Sequence, residues 1–476
     1  MLFNSLHFLI FFPVVCILYY VLPSVKTRNT FLLIASYYFY MNWEPIYALL
    51  LLSSTVITYL AALGIASQHD KKRKQLFLTI SLILNLGILF LFKYYNFAAD
   101  NITTLMTEAG LELAMPHFTL LLPVGISFYI FQALGYSIDV YRGNTPAEHN
   151  FFTYALFVSF FPQLVAGPIE RSTNLLPQFK KLHKFSYDNF LTGIKWMVWG
   201  YFLKLVLADR CGIYVDAIFN NLEHHNGGSY LLASLLFPFQ IYGDFAGYSL
   251  TAIGSAKVMG FNLMENFRRP YFSTTVTEFW HRWHISLSTW FKDYVYIPLG
   301  GNRVSKPRRH LNVMTTFMVS GIWHGANWTF LAWGTIHGAL QCTEKALGWD
   351  KADWKGSQKF FHWLLTFVIV CLAWIFFRSN SIGDAFHIFN GIFTNLGMPF
   401  MKIADLMAVA LALFIVLVKE IREERQVRVN RVNKDKISSR TSILEWLGTQ
   451  YYIVTLVAFI VLFGVLNGDQ FIYFQF

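Results

Sequence analysis

Long apolar runs follow one another along almost the whole chain, at 3–22, 29–42, 46–66, 75–97, 118–138, 190–214, 229–258, 311–340, 361–378, 404–420 and 447–465. A helix needs ~20 such residues to span a bilayer. Inside a bilayer every backbone N–H and C=O has to find its partner within the protein, which leaves only helices and closed barrels. The runs are continuous and do not alternate apolar with polar residues, so they predict helices. The expected fold is all-α, a polytopic membrane protein of about eleven crossings with re-entrant and interfacial helices, forming a single domain over 1–476. Composition agrees, with 14% charged residues against ~25% in soluble chains.

Charge orients the runs. The net charge of +11 is explained by Lys and Arg facing anionic lipid headgroups, without nucleic acid. Basic residues cluster at Lys26 and Arg28, at 71–74, and at Lys180, Lys181 and Lys184, whereas 100–117 holds acids and no Lys or Arg. That pattern places the N-terminus outside, with 3–22 a retained helix and not a signal peptide. Strict alternation then puts 141–150 inside, yet the segment after 151–167 is also Lys-rich. The stretch 151–167, with Pro162 and Gly167-Pro168, is therefore expected to be re-entrant or interfacial. The basic segments 268–309, 341–360 and 422–440 raise the same conflict. Either 311–340 enters and returns as two half-helices with His324 near the turn, or the positive-inside count fails in this half. Cys16, Cys211, Cys342 and Cys371 are scattered, with neither disulfide nor zinc spacing.

The segment 320–338, SGIWHGANWTFLAWGTIHG, places His324 and His337 at membrane depth, where ionisable groups are costly and commonly functional. In one continuous helix the two would stand about 20 Å apart on well-separated faces. That leaves His337 to packing and His324 as the candidate. Gly321 and Gly325, like Gly334 and Gly338, have the spacing that lets helices approach closely. Trp323, Trp328 and Trp333 add bulk around His324, as the wall of a substrate tunnel would. Set against this is a histidine held by a structural hydrogen bond. A neutral imidazole there could deprotonate a hydroxyl attacking a thioester or could itself accept an acyl group.

Upstream, 279–294 follows a helical period, with Trp280, Trp283, Leu287, Trp290 and Tyr294 on one face and His284, Ser288 and Lys292 on a neighbouring stripe close to His281. The plain alternative is an interfacial helix with its histidines among headgroups. His281 and His284 lack a third ligand, so no metal is expected.

WHRWHISLSTWFKDYVYIPLGGNR at 280–303 and WHGANWTFLAWGTIHG at 323–338 resemble the membrane-bound O-acyltransferase (MBOAT) family, in particular its bacterial alginate O-acetylation branch. MLFNSLHFLIFF at the start, PVGISFYIFQALGYSIDVYRG at 123–143, FFPQLVAGPIERS at 160–172, FQIYGDFAGYSLTAIGSAKVMGF at 239–261, WIFFRSNSIGDAF at 374–386 and the closing NGDQFIYFQF extend the likeness. The resemblance implies helices around a central tunnel, catalytic motifs within 239–340, and an inner-membrane enzyme without a tightly bound cofactor. Its donor would be cytoplasmic acetyl-CoA. The acceptor would be alginate, cellulose, peptidoglycan or another surface glycan, reached through a separate extracytoplasmic SGNH or esterase-like O-acetyltransferase.

His324 matches the family's membrane histidine and His284 the second, more variable position of the pair. His281, Asp244, Ser288, Trp323 and Asn327 are candidate supporting residues, and Asp244 can equally be a structural acid. Arg303, Lys306 and Arg308 would either bind the phosphates of coenzyme A or form an ordinary basic loop. Glu170 and Arg171 are expected to pair, and Arg268 and Arg269 to anchor at the membrane surface. Competing readings are D-alanyl transfer to teichoic acid, a lipid or protein acyltransferase, and a transporter with broken helices.

Overall fold

A computed structural model describes residues 1–112, 114–118, 122–400, 402–432 and 443–465. The closing stretch 467–476 and part of the basic segment 422–440 lie outside the described residues. What is described is helical, with no β-strand among the described residues. Within them Tyr47–Ser67, Lys71–Glu108 and Gly356–Arg378 are long and apolar enough to cross a membrane. The other runs also fold as helices, but many are shorter, broken or lined with polar groups. Gly227–Val258, for example, is 32 residues long, holds Pro238 and Asp244, and is buried along most of its length. Side chains such as Leu6, Ile10 and Ile17 on Leu6–Val21 point outward, as apolar groups facing lipid do.

Local chemistry sets where the helices start. Ser24, Asp70, Asn226 and Thr275 each accept a hydrogen bond from a first-turn backbone N–H, satisfying donors that no intrahelical carbonyl can reach. Small residues set how closely the helices pack. Tyr187–Tyr201 and Gly227–Val258 touch backbone to backbone, so a Cβ at Gly193 would lie 2.6 Å from the Gly254 carbonyl oxygen and one at Gly200 would lie 2.5 Å from that of Gly247.

The stretch 151–167 lies inside the protein. Helices Phe151–Ser159 and Phe161–Leu164 are broken at Phe160, and every residue from 153 to 170 is buried. The polar groups freed by the break find partners. The Phe157 carbonyl accepts from Gln132 Nε2 at 2.6 Å and Gln163 Nε2 at 2.9 Å, and the Phe161 N–H donates to Ser36 Oγ at 3.1 Å. The pair expected next to it does not form. Arg171 bonds Asp293 at 2.8 Å instead, and Glu170 accepts from Asn174 Nδ2 at 2.8 Å. Arg269 likewise reaches Glu424 at 3.0 Å and Glu423 at 3.3 Å, fastening the segment ahead of helix Val276–Arg282 to helix Ile403–Val432.

The run 311–340 is a hairpin. Helix Lys306–His324 ends at His324, the chain turns through 325–327, and helix Trp328–Leu347 returns beside it. The basic residues Lys306 and Lys345 therefore share one side, which is the first of the two readings the charge pattern allowed. The crossing is made by glycine on both helices: a Cβ at Gly334 would lie 2.4 Å from the Phe317 carbonyl oxygen and one at Gly321 would lie 2.4 Å from that of Phe330. Gly334→Ala should therefore destabilise by about 1–3 kcal/mol through overpacking. Gly87→Ala, which meets nothing within 4 Å, should be neutral or stabilising by up to ~1 kcal/mol. Thermal unfolding in detergent separates the two, and equal melting temperatures would refute the backbone contact.

Candidate active site

Helix Lys306–His324 has 19 residues, which carries His324 about 28 Å from the basic end of the hairpin. Being last in its helix, His324 sits where backbone carbonyls run out of intrahelical donors. Two neighbouring side chains from the π-helical turn Phe90–Tyr94 supply them. Lys93 Nζ donates to the carbonyls of Trp323 at 2.9 Å and His324 at 2.8 Å, and Tyr94 Oη donates to that of Ile322 at 3.0 Å. A cation there also complements the negative end of the helix dipole. The imidazole of His324, 2% exposed, lies among the rings of Trp323, Trp333 and Phe377 at centroid distances of 5.0, 5.0 and 5.3 Å. Lys93 escaped the sequence reading, although it is the one charged residue in the run 75–97.

His284 reaches the same region by a break in the chain. The expected continuous helix over 279–294 is two helices, Val276–Arg282 and Ile285–Phe291, joined at Trp283 and His284. His284 has φ 42° and ψ 54°, a left-handed conformation that costs a non-glycine residue roughly 1–2 kcal/mol. The surroundings hold it there, because the Ile285 N–H donates to the Asn266 carbonyl and the Arg268 N–H to the Arg282 carbonyl, at 2.9 and 2.8 Å. The break turns the imidazole inward until it is 0% exposed. It also ends the helical stripe expected from His284 to Lys292. The Trp280, Trp283, Leu287 and Trp290 face is buried in protein.

The ring state of His284 follows from its partners. Asn266 Oδ1 accepts from the Ser286 N–H at 3.3 Å and from Ser286 Oγ at 2.9 Å, while Asn266 Nδ2 donates to Ser249 Oγ at 2.9 Å. The atom 3.1 Å from His284 Nδ1 is thus an oxygen. In the neutral ring Nδ1 carries the proton and Nε2 holds the lone pair. Nε2 is buried, with no hydrogen-bond partner among the described residues. Asn266 was not anticipated, since nothing in its spacing marks an amide 18 positions ahead as the partner of a histidine.

The hairpin also revises the distance between His324 and His337. The estimate for one continuous helix does not hold, because both rings lie 5.0 Å from that of Trp333. His337 accepts from Trp280 Nε1 at 3.3 Å through Nδ1. Asp244 sits in a buried cluster, 2.5 Å from Lys204 Nζ, which also reaches Asp209 at 2.7 Å. Asn327 caps the returning helix through Thr329 N at 3.0 Å and donates to the Asn380 carbonyl at 2.8 Å. Arg303, Lys306 and Arg308 are exposed.

Where a tunnel was expected, two cavities lie along one stripe of helix Lys306–His324. Val313, Thr316, Phe317 and Ser320 line a cavity of about 460 Å³, opposite His281, Leu287, Ser288 and Phe291, with Lys292 and Lys345 also in its wall. One turn further, Trp323 and His324 line a smaller cavity of about 50 Å³, facing Lys93 and the first turn of helix Ile126–Arg142. The Phe291 and Trp323 rings, 6.5 Å apart, stand between them. A buried imidazole that faces one cavity and lies one turn above another is suited to moving an acyl group between reactants entering from two sides.

The model of the MBOAT, membrane-bound O-acyltransferase family matches residues 36–383. The chain belongs to this family. It is 42% identical over 397 residues to a probable alginate O-acetylase of Pseudomonas syringae, covering 83% of this chain and 75% of the relative. It is also 34% identical over 427 residues to a peptidoglycan O-acetyltransferase of Helicobacter pylori, covering 82% and 80%. A teichoic acid D-alanyltransferase of Streptococcus thermophilus is 32% identical over 228 residues, covering 45% and 55%. This MBOAT protein is thus a multi-pass membrane O-acetyltransferase, and its hairpin histidine and the broken helix before it fall within the matched region.

Asn266→Leu should lower acyl-transfer turnover by about 10–100-fold, the usual cost of losing the partner that orients a functional histidine. The check is turnover per folded molecule, with folding verified by size exclusion. Undiminished turnover would separate the Asn266 bond from function.

Proposed function

We propose that this protein takes an acetyl group from cytoplasmic acetyl-CoA and passes it to a hydroxyl on the opposite side of the inner membrane, for O-acetylation of a cell-surface polysaccharide. The observation that carries the reading is the place of His324, facing one cavity and one helical turn above a larger one on the basic side. The basic side is the cytoplasmic side by the positive-inside rule. There the larger cavity, with Lys292 and Lys345 in its wall, suits a donor that carries phosphates at one end and a thioester at the other. Those lysines line the cavity, whereas Arg303, Lys306 and Arg308 do not.

In the reaction the His324 imidazole takes the proton of the acceptor hydroxyl as its oxygen attacks the thioester carbonyl carbon. Collapse of the resulting adduct expels the coenzyme A thiolate, which takes the proton back from the imidazolium. His284, its lone pair directed by Asn266, supports this chemistry from the neighbouring aromatic wall, its ring 6.2 Å from that of Trp323. The two O-acetylating relatives support acetyl as the group and a polysaccharide as the acceptor. Two D-alanyl relatives align over 45% and 57% of this chain, against 83% and 82% for the two O-acetylating ones. A partner transferase outside the membrane would complete the transfer to the polymer.

Purified protein in proteoliposomes, given acetyl-labelled acetyl-CoA, should release free coenzyme A, and His324→Ala should lower that release at least ~10³-fold. A transporter would move substrate with the thioester intact. Release that persists in His324→Ala would remove this histidine from the mechanism.

A further inference from the structure

Lys93 does more than close the end of a helix. An ammonium has three N–H donors, and two are used by the carbonyls of Trp323 and His324. Those partners are neutral, so they fix the side chain in place, and among the described residues no carboxylate pairs with it. Lys93 also lines the cavity of about 50 Å³ that His324 faces. From the opposite wall the first turn of helix Ile126–Arg142, with Ser127, faces the same space, presenting the positive end of its dipole. Trp323 lines it as well, and its buried indole N–H has no hydrogen-bond partner among the described residues. A cation, a helix N-terminus and an indole around one small space next to a basic imidazole describe a site for developing negative charge.

We infer that Lys93 is a catalytic residue, the donor that stabilises the oxyanion formed when the acyl group is transferred at His324. The inference rests on the acetyl-transfer reading above. As the acceptor oxygen bonds to the carbonyl carbon, the C=O π pair moves onto the carbonyl oxygen and the hydroxyl proton moves to His324. The remaining N–H of Lys93 donates to that oxygen. When the pair returns, the C–S bond breaks and the thiolate leaves with its bonding pair, taking the proton from His324. Charge is created and lost at one oxygen, and Lys93 meets it without reorganising, because its other two bonds hold it to the same helix end that carries His324.

Wild type, Lys93→Met, Lys93→Gln and Lys93→Ala are compared in proteoliposomes with labelled acetyl-CoA. The expected result is a fall in kcat of about 10²–10³-fold for Met and Gln, the usual loss when one oxyanion donor is removed. KM for acetyl-CoA should stay within about threefold. Added methylammonium should restore part of the turnover of Lys93→Ala. Gln keeps neutral donors for the two carbonyls, so it tests charge even if Met fails to fold. Wild-type kcat in either Met or Gln overturns the inference. So does a loss in Lys93→Ala that no amine restores, since that would make Lys93 a helix tie alone. Absence of turnover in the wild type, or turnover surviving His324→Ala, would instead strike the acetyl-transfer reading itself.

Discussion

A helix that stops inside a bilayer leaves its last carbonyls without donors, and no water is there to take them. The functional half of this protein is assembled from such ends. Helix Lys306–His324 stops at the candidate histidine, and Lys93 and Tyr94 supply the missing donors. The buried break at Phe160 is resolved by two glutamine amides on one carbonyl. Each end thus obliges a polar side chain from another helix to come to the break. The same requirement that makes broken helices costly places charged and hydrogen-bonding groups next to the site, and removing a break would remove the reason for its partner.

His284 shows the same logic worked through backbone strain. A left-handed residue between two short helices is unfavourable alone, and here it is over-determined by two backbone bonds and by Asn266, which holds the ring. The result is an imidazole whose free nitrogen is chosen by its surroundings before any substrate arrives. Asn266 in turn is fixed by Ser249 on the long buried helix Gly227–Val258. That helix is itself held by the glycine seam at 247 and 254 and by the Lys204, Asp209 and Asp244 cluster. Asp244 thus shares its helix with Ser249, the partner of Asn266, without touching His284 itself.

Much of this was legible from the chain. Apolar run length marked the helices, the three basic segments offered a turn in 311–340 as one of two readings, and the paired glycines marked the faces on which the hairpin closes. The site histidines stood out because imidazole is rare at membrane depth. The break at His284 did not stand out, since Trp280, Trp283, Leu287 and Trp290 keep a perfect helical period across it. Periodicity records which side chains are buried, and here both short helices bury the same face. Asn266 and Lys93 were missed for a different reason. Each acts through a contact between segments far apart in sequence, with 230 positions separating Lys93 from Trp323, and spacing along the chain carries no information about such a meeting. Lys93 nevertheless left a trace as a lone charge in an apolar run, the same anomaly that singled out His324.

The two cavities and the aromatic wall between them bear on how one site can serve both faces of a membrane. A continuous pore wide enough for both reactants would leak ions and expose the thioester to hydrolysis. The rings of Phe131 and Phe291 lie at centroid distances of 5.4 and 6.5 Å from that of Trp323, and His324 follows Trp323 on the same helix. An acyl group need not travel through such a wall if the carbonyl carbon alone reaches the imidazole from one side and the attacking oxygen reaches it from the other. In the proposed transfer the distance crossed by the acetyl group is then the length of one new bond.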